Sequence, residues 1–588
     1  MSKKLQAPAG FDRTGDTPLR QALRICRNQF LVVGVFSGIV NLLQLTTSIY
    51  MMQVFDRVLA TRSIDTLLYL SLMAIGAALV LALLDAVRGK VMQALGSWVE
   101  NRVAPEAFVR AIESSLRGAP YRMEALRDVA SLRSYLASPS ALSLYDVPWV
   151  PIYIAVIFAL HWVLGLIALG GAILLFGLAL ASELATAALV KQANTASIYA
   201  QRRADGIARN AEVIDSMGML PAVITHWRSA MARMVEPQQR AANRAAVVVG
   251  ATRFFRLCVQ IGVLGTGIWL ALSHDLTAGA AVAGSIILGR ALAPLEQMIS
   301  GWKQLVQTRQ AFRRLEEFLK LTRLRPPGRP LPAPTGRLSV ERATFAFPGQ
   351  GVPLLRGISF ELAAGESLAI IGPSAAGKTT LVRLLTGTLE PLSGTVRLDG
   401  ADVYQWLRED FGSYLGYLPQ DVELFDGTVF TNIARMGEAT PEEVYDAARL
   451  AGCHDMILRL PDGYDTEIGE GGLYLSGGQR QLIGLARAMF GRPRLVVLDE
   501  PNSNLDGASE AALMRALEQL KALETTVVLV SHRPSLVQGV DKILQMRDGS
   551  IEVFGPRTEV LKRMMAPPRP VPAAPVPRRE TRAVGDVA

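Results

Sequence analysis

The chain has 588 residues, half of them hydrophobic, with a mean hydropathy of +0.26. Soluble domains rarely combine such values, so membrane spans are the first expectation, and the length suggests two to four domains at roughly 150 residues each. A formal charge of +9 reads, in a membrane protein, as basic residues held at the cytoplasmic face and not as a nucleic-acid surface. Three scattered cysteines (Cys26, Cys258, Cys453) and five dispersed histidines supply neither a disulfide framework nor a metal cluster.

Residues 1–29 are polar and basic and read as a cytoplasmic N-terminal segment. The apolar run that follows is too long for a signal-peptide core and is expected to stay as a first span. Residues 30–321 alternate long uncharged runs with charged stretches. One run lies between Arg27 and Asp56 and a second between Asp65 and Asp85. Two lie between Asp146 and Glu183, with a hairpin at His161 and Trp162, a fifth between Arg256 and Asp275, and a sixth after Asp275 that tolerates Arg290. At about 20 residues per crossing these make six spans. Basic residues crowd the N-terminus (Lys3, Lys4, Arg13), the stretch after span two (Arg102, Arg110, Arg117) and the stretch after span four (Arg202, Arg203, Arg209), while the opposite loops hold little beyond Arg57 and Arg62. The positive-inside rule therefore predicts cytoplasmic termini and two long cytoplasmic loops. Those loops are rich in Ala, Arg and Glu and are expected to be helical continuations of the spans. Asn41 and Gln44 in the first span are read as interhelical hydrogen-bond partners. Arg256 and Arg290, at membrane depth, are read either as lining a translocation path or as snorkelling or ion-paired side chains.

A Pro-rich linker is predicted at 322–337, an α/β domain at 338–562, where short β-branched runs alternate with amphipathic helices, and a disordered Pro/Ala-rich tail at 563–588. The run ESLAIIGPSAAGKTTLVRLL is a buried strand, a small-residue loop and a helix start. Gly372, Pro373, Ser374, Ala375, Ala376, Gly377, Lys378 and Thr379, followed by Thr380, fit the phosphate-cradling pattern G-x-x-x-x-G-K-[ST]. Backbone N–H groups and a helix N-terminus would hold the phosphates, Lys378 would reach the β- and γ-phosphates, and the Thr379 hydroxyl would bind Mg²⁺. The strand RLVVLDE delivers Asp499 to the metal and Glu500 to an attacking water. In LSGGQRQLIGLARAMF, Ser476, Gly477, Gly478 and Gln479 open a helix and offer N–H groups and a hydroxyl to an anion.

The LSGGQ run resembles the signature of ATP-binding-cassette proteins, and the rest of the domain follows that family's order. Phe347 (in TFAFPG) resembles the aromatic that stacks on adenine. Gln420 (in YLPQDVELF) resembles the glutamine that reaches the nucleotide and its metal and links them to the membrane domain. Asp506 (in SNLD) resembles the residue of the loop crossing the dimer interface, and His532 (in VLVSH) the histidine that senses the γ-phosphate. The resemblance implies ATP and Mg²⁺ as cofactors, and a homodimer in which the loop of one copy meets the signature of the other. With Glu500, His532 and Lys378 present, it also implies hydrolysis at both composite sites. The implied fold is an α-helical six-span transmembrane domain of the exporter type fused to an α/β P-loop ATP-binding-cassette domain. Three departures stand out: Ala375 and Ala376 replace the commoner glycine and serine, Phe347 replaces tyrosine, and Asn504 stands where alanine is usual.

The segment TEIGEGGLYLSGGQ, with Thr466, Gly469 and Glu470, resembles the exporter-specific loop, and residues 50–63, 210–219 and 288–315 resemble the membrane ATPase of type I protein secretion, in the branch exporting proteases, lipases and surface proteins. The likeness runs from about residue 20 to 562. Members with an N-terminal peptidase-like domain are not expected to match, since about thirty residues precede the first span. This resemblance implies location in the bacterial inner membrane, a periplasmic adaptor (membrane fusion protein), an outer-membrane channel, and an unfolded secreted protein with a C-terminal signal as cargo, with no nucleic-acid partner. An exporter of lipid, drug or short peptide working without an adaptor, and a non-transporting cassette ATPase that regulates a membrane partner, are the competing expectations.

Overall fold

The computed structural model describes residues 17–116, 123–208, 210–321, 328–347, 351–531 and 533–565. The chain divides into two compact units, one ending at Leu324 and the other beginning at Arg325.

The first unit is helical. A short helix, α1 (Pro18–Ile25), starts at an N-cap, Thr17, whose hydroxyl accepts from Arg20 N, with proline at the first helical position. Among the described residues, six helices are long and apolar enough to cross a membrane: α2 (Arg27–Thr61), α3 (Ile64–Leu116), α5 (Pro139–Leu160), α6 (Trp162–Ala208), α7 (Leu220–Leu272) and α8 (Ala278–Leu321), with α4 (Glu124–Leu136) before α5. On α3 the side chains of Leu68, Leu72, Leu79 and Leu83 are exposed, the pattern expected where hydrocarbon is the solvent and the helix satisfies its own backbone. A helix of 53 residues, as α3 and α7 are, is about 80 Å long, against a hydrocarbon core of about 30 Å. These helices therefore continue well past the bilayer, as the composition of the long loops predicts.

Two cores hold this unit. Around the apolar stretches, Tyr153 and Ile157 of α5 pack with Leu164, Ala168 and Leu175 of α6, Val263 and Leu270 of α7, and Leu288 and Leu292 of α8. Further along, Leu19 and Ala22 of α1 pack with Met92, Val99 and Val103 of α3, Val129 of α4, and Leu315 and Leu319 of α8. Between them lies a buried polar knot. One terminal nitrogen of Arg88 (α3) donates to Ser37 Oγ (2.9 Å) and to Asp146 Oδ1 (2.7 Å), and the other donates to Asp85 Oδ1 (2.7 Å). Asn41 Nδ2 donates to Asp146 Oδ1 (2.8 Å), and the Tyr153 hydroxyl donates to the Asn41 carbonyl (2.8 Å). Asn41 thus makes the interhelical bonds expected of it, whereas Gln44 makes none among the described residues. Arg256 resolves toward the ion-paired reading, with Nε 3.3 Å from Glu296 Oε2 across α7 and α8. Arg290 is exposed.

The second unit carries two sheets. In the antiparallel one the order is β2 (Leu355–Leu362), β1 (Leu338–Phe345), β4 (Ser393–Leu398), β5 (Ala401–Asp402). The other runs β10 (Ser550–Pro556), β9 (Lys542–Arg547), β3 (Ser367–Ile371), β8 (Thr526–Val530), β7 (Leu495–Asp499), β6 (Leu415–Leu418) and is parallel except for β10. Its central strands LVVLD and TVVLV are buried throughout, as both-face coverage of parallel strands requires. Residues 328–337, within the segment expected as linker, are tied to this unit. Asp399 accepts from Thr335 Oγ1 (2.7 Å), Gly336 N (3.1 Å) and Arg337 N (3.0 Å), and Asp410 accepts from Leu331 N (3.0 Å) and Trp406 Nε1 (2.6 Å). The last described helix runs from Arg557 to Met565.

Removing one partner of a buried ion pair strands the other, at a cost of about 3–5 kcal/mol, while apolar replacement of both can be near neutral. Arg88→Met should therefore lower the thermal midpoint of the detergent-solubilised protein far more than Arg88→Met/Asp146→Leu, measured by fluorescence-detected size exclusion after heating. The strap at 335–337 should be acid-sensitive. Partial burial pushes the Asp399 carboxyl up, but hydrogen bonds from Thr335, Gly336 and Arg337 outweigh it and hold the carboxyl below its usual value. A depressed folded-state pKa gives stability present above the ordinary carboxylate range and lost as pH falls through the folded value. Protease cleavage near 328–337 should rise in acid for the wild type, and be already high and nearly pH-independent for Asp399→Asn.

Candidate functional site

Three parallel strands deliver the site. Ile370 of β3 and Asp499 of β7 both register with Val530 of β8, so the loop after β3 and the carboxylates at the end of β7 emerge at the C-terminal ends of these central strands, two strand spacings or about 10 Å apart. The loop begins at Gly372 with φ 151°, and a Cβ there would lie 2.3 Å from the Met546 carbonyl oxygen. Only glycine fits. Ala375 adopts φ 64°, a left-handed conformation that is strained for a residue with a Cβ and explains the commoner glycine. The small side chain of Ala376 is buried beneath the loop, while Pro373 and Ser374 are exposed.

Helix α9 (Lys378–Leu385) starts at the end of this loop, with Thr379 half-buried and Thr380 buried in its first turn. Its unpaired N-terminal amides are the physical basis of an anion site. Lys378 folds back over the loop, where Nζ donates to the carbonyls of Gly372 (2.7 Å) and Pro373 (3.0 Å). Burial lowers its pKa, and the charges of Glu500 and Asp499 oppose that shift. Asp499 is 1% exposed, and neither carboxylate oxygen makes a well-formed hydrogen bond. Burial raises its pKa and Glu500 adds to the rise, against the Thr379 hydroxyl, Lys378 and Arg383. A buried, orphaned carboxylate beside a threonine hydroxyl fits a hard divalent cation, which takes one or two protein oxygens and completes its shell with water and phosphate.

Glu500 is half-buried and sits at φ 50°, a strained backbone of the kind that clusters at functional positions. Gln420, two residues past β6, donates through Nε2 to Glu500 Oε2 (3.2 Å), so the structure brings together two residues 80 positions apart. Phe347 presents a partly exposed ring whose companion is Phe345, at 5.2 Å and nearly perpendicular.

The LSGGQ residues open α10 (Gly477–Met489) through a reciprocal capping box: Ser476 Oγ accepts from Gln479 N (3.2 Å), and Gln479 Oε1 accepts from Ser476 N (2.9 Å). Among the described residues, no hydrogen bond joins 476–479 to 372–380 within the chain. Asp506 caps α11 (Gly507–Ala522), accepting from Ser509 N (2.9 Å). His532 and the side chain of Glu470 lie outside the described residues.

Two residues that the sequence reading passed over organise this region. Gln481, buried in α10, donates to the Glu500 carbonyl (3.2 Å) and accepts from Asn504 N (3.0 Å). Its signal in the sequence was a polar residue directly before the apolar run Leu482–Ile483, on the face the helix buries. Arg487 donates to the Glu423 carbonyl (3.1 Å) and stacks on Phe425 at 5.5 Å, tying the segment after Gln420 to α10. Asn504 packs beside Gly477, and its carbonyl would be 3.1 Å from a Cβ on Gly478. Gln481→Ala would orphan a backbone donor, and such groups cost about 1–3 kcal/mol. A lowered melting transition for the purified chain, with Gln481→Glu less affected because it still accepts from Asn504, is the expected result.

Residues 30–292 match the model of the ABC transporter transmembrane region, and residues 355–503 that of the ABC transporter ATP-binding domain. The chain is 40% identical over 549 residues to the type I secretion system ATP-binding protein PrsD of Rhizobium meliloti, covering 93% of this chain and 94% of that protein. It is 30% identical over 571 residues to the cyclolysin secretion/processing ATP-binding protein CyaB of Bordetella pertussis, covering 95% of this chain and 78% of that one. A bacterial Atm1-family ABC exporter with ATP bound shares the fold, with a TM-score of 0.79 at 23% identity over 92% of this chain and 97% of the other. With a loop, an acidic strand end and a signature helix in that family's order on one chain, behind six membrane-length helices, this protein belongs to the ABC transporter family, among the type I secretion ATP-binding proteins.

Proposed function

We propose that the chain is the ATP-hydrolysing membrane subunit of a type I protein secretion system, driving an unfolded polypeptide with a C-terminal signal across the envelope. The observation that carries this reading is near end-to-end identity of 40% with a type I secretion ATP-binding protein. The convergence of Lys378, Asp499, Glu500 and Gln420 at the C-terminal ends of the parallel strands supports it. The proposed setting is a Gram-negative inner membrane, with a periplasmic adaptor and an outer-membrane channel as partners.

Two copies are needed in this reading. Each chain has one phosphate loop and one signature helix, with no hydrogen bond between them among the described residues, and in this reading ATP is held by the loop of one copy and Ser476, Gly477 and Gly478 of the other. Phe347 stacks on the adenine. On ATP arrival, Lys378 exchanges the Gly372 and Pro373 carbonyls, which are weak neutral acceptors, for the β- and γ-phosphates. Thr379, Asp499 and Gln420 are the residues that would hold Mg²⁺, which when bound would neutralise charge on the transferring phosphoryl group. Glu500, held by Gln420, orients and deprotonates the attacking water, and His532 contacts the γ-phosphate. Asp506 and Asn504 lie on the loop that faces the second copy.

Glu500→Gln keeps the shape and removes the base, so ATPase activity should fall by about 10²–10⁴-fold with ATP binding retained. The deciding measurement is comparative mass spectrometry of culture medium from cells carrying either form. Loss of one or a few large proteins from the mutant medium identifies a secretion motor and its cargo. An unchanged protein profile rejects secretion and points to lipids or small molecules.

A further inference from the structure

The stretch 50–63 has no part in the nucleotide chemistry, yet it holds a built contact. Within α2 the backbone widens to a π-turn at Val54–Val58, with Asp56 at its centre. One inserted residue rotates all later side chains by about 100°, and such turns recur at functional positions. Here the turn carries Asp56 onto the first turn of α8. Asp56 Oδ1 accepts from Gly279 N (2.8 Å), and Oδ2 accepts from Thr277 Oγ1 (2.7 Å). The same hydroxyl accepts from Ala280 N (3.1 Å), so Thr277 both caps α8 and hands its proton to Asp56. The approach leaves no room: a Cβ on Gly279 would lie 2.5 Å from Asp56 Oδ1 and 2.6 Å from the Met52 carbonyl oxygen. A negative carboxylate at a helix N-terminus is favoured by both the free amides and the dipole.

The position of this contact gives it meaning. Six crossings put the short turns after α2, α5 and α7 on one membrane face, opposite the long segments. Asp56 lies five residues before the end of α2, and Thr277 immediately before α8. The contact therefore joins the first and last spans at the face through which cargo leaves. We propose that Asp56 is the latch of the outer gate, a positioning residue whose carboxylate holds α2 against α8 and must release the first turn of α8 for the external side to open. The proposal rests on the transport reading above.

The test uses the full-length protein in lipid nanodiscs, with exposed Cys258 changed to Ser, the buried Cys26 and Cys453 left in place, and Ala280→Cys as reporter; Ala280 is 6% exposed beneath the contact. The readout is the rate of labelling by a charged maleimide. Losing two hydrogen bonds and a charge–dipole interaction corresponds to about a tenfold shift in opening. Asp56→Ala should raise the nucleotide-free labelling rate by about that factor. Gly279→Ala, whose Cβ would meet both the carboxylate and the Met52 carbonyl oxygen, should raise it at least as much, and adding Asp56→Ala to it should change nothing further, because the contact is already broken. Asp56→Asn keeps an acceptor for Gly279 N and should label at an intermediate rate. In the Glu500→Gln background, ATP should accelerate labelling when Asp56 is present and add little in Asp56→Ala, a dependence that a merely structural role would not produce. An unchanged rate in Asp56→Ala, additive effects, or ATP acceleration undiminished by Asp56→Ala would overturn the latch. Should Asp56→Ala fail to elute as a dimer-sized species, Asp56→Asn decides: the wild-type rate rejects the proposal. The assay contains no cargo, so its failure leaves the secretion reading intact, and an unchanged secretome leaves the labelling result intact.

Discussion

The nucleotide unit is arranged around a buried charge, the Asp499 carboxylate at the end of a fully buried strand. A buried carboxylate without donors is unfavourable, and proteins ordinarily neutralise it by pairing or by protonation. Here, among the described residues, neither oxygen has a well-formed donor, and a lysine, a threonine hydroxyl and a second carboxylate lie around it. Neighbouring features follow the same logic: Lys378 is parked on loop carbonyls, and Glu500 is held in a left-handed backbone with its side chain turned to Gln420.

The membrane unit obeys the opposite constraint. In hydrocarbon no water rescues an unpaired group, and several charged side chains among the long helices meet partners. Arg88 spends its terminal nitrogens on Ser37, Asp146 and Asp85, and Arg256 meets Glu296. Buried ion pairs contribute little net stability and are better at selecting one arrangement over others. The Arg88 knot couples α2, α3 and α5 into a block, while Asp56 makes a smaller contact between α2 and α8. A transporter needs both kinds of joint, some that stay closed through the cycle and some weak enough to open.

The sequence made the architecture legible because hydropathy and glycine placement are local signals. Six uncharged runs became six long helices, and the P-loop pattern fell on a strand–loop–helix as its spacing required. Gly372 was readable because nothing else fits against Met546. What the sequence could not display were the partners of polar residues. Asp146 served only as the charged end of an apolar run, yet it is the acceptor at the centre of the polar knot. Arg256 admitted two readings until Glu296, forty residues away, was placed beside it. The π-turn at Val54–Val58 has no compositional mark at all, since one extra residue per turn is a matter of hydrogen-bond register.

Gln481 shows how the catalytic and signature segments can act as one piece. Its side-chain oxygen holds the Asn504 amide, and its nitrogen reaches the Glu500 carbonyl and the Ser503 hydroxyl (3.4 Å), so the loop after Glu500 is bound to the helix that begins at Ser476. Arg487, two turns further on, binds the segment after Gln420 to the same helix. Gln420 in turn touches Glu500, closing a ring of contacts through α10. A rigid displacement of that helix must therefore carry the loop bearing Asn504 and Asp506 with it, and must strain or release the Gln420–Glu500 contact. Asn504, bulkier than alanine, fills the space beside Gly477 and stiffens the link. The Ser476–Gln479 turn and the Glu500 segment are thus joined through one helix, by two side chains whose roles lie in what they hold.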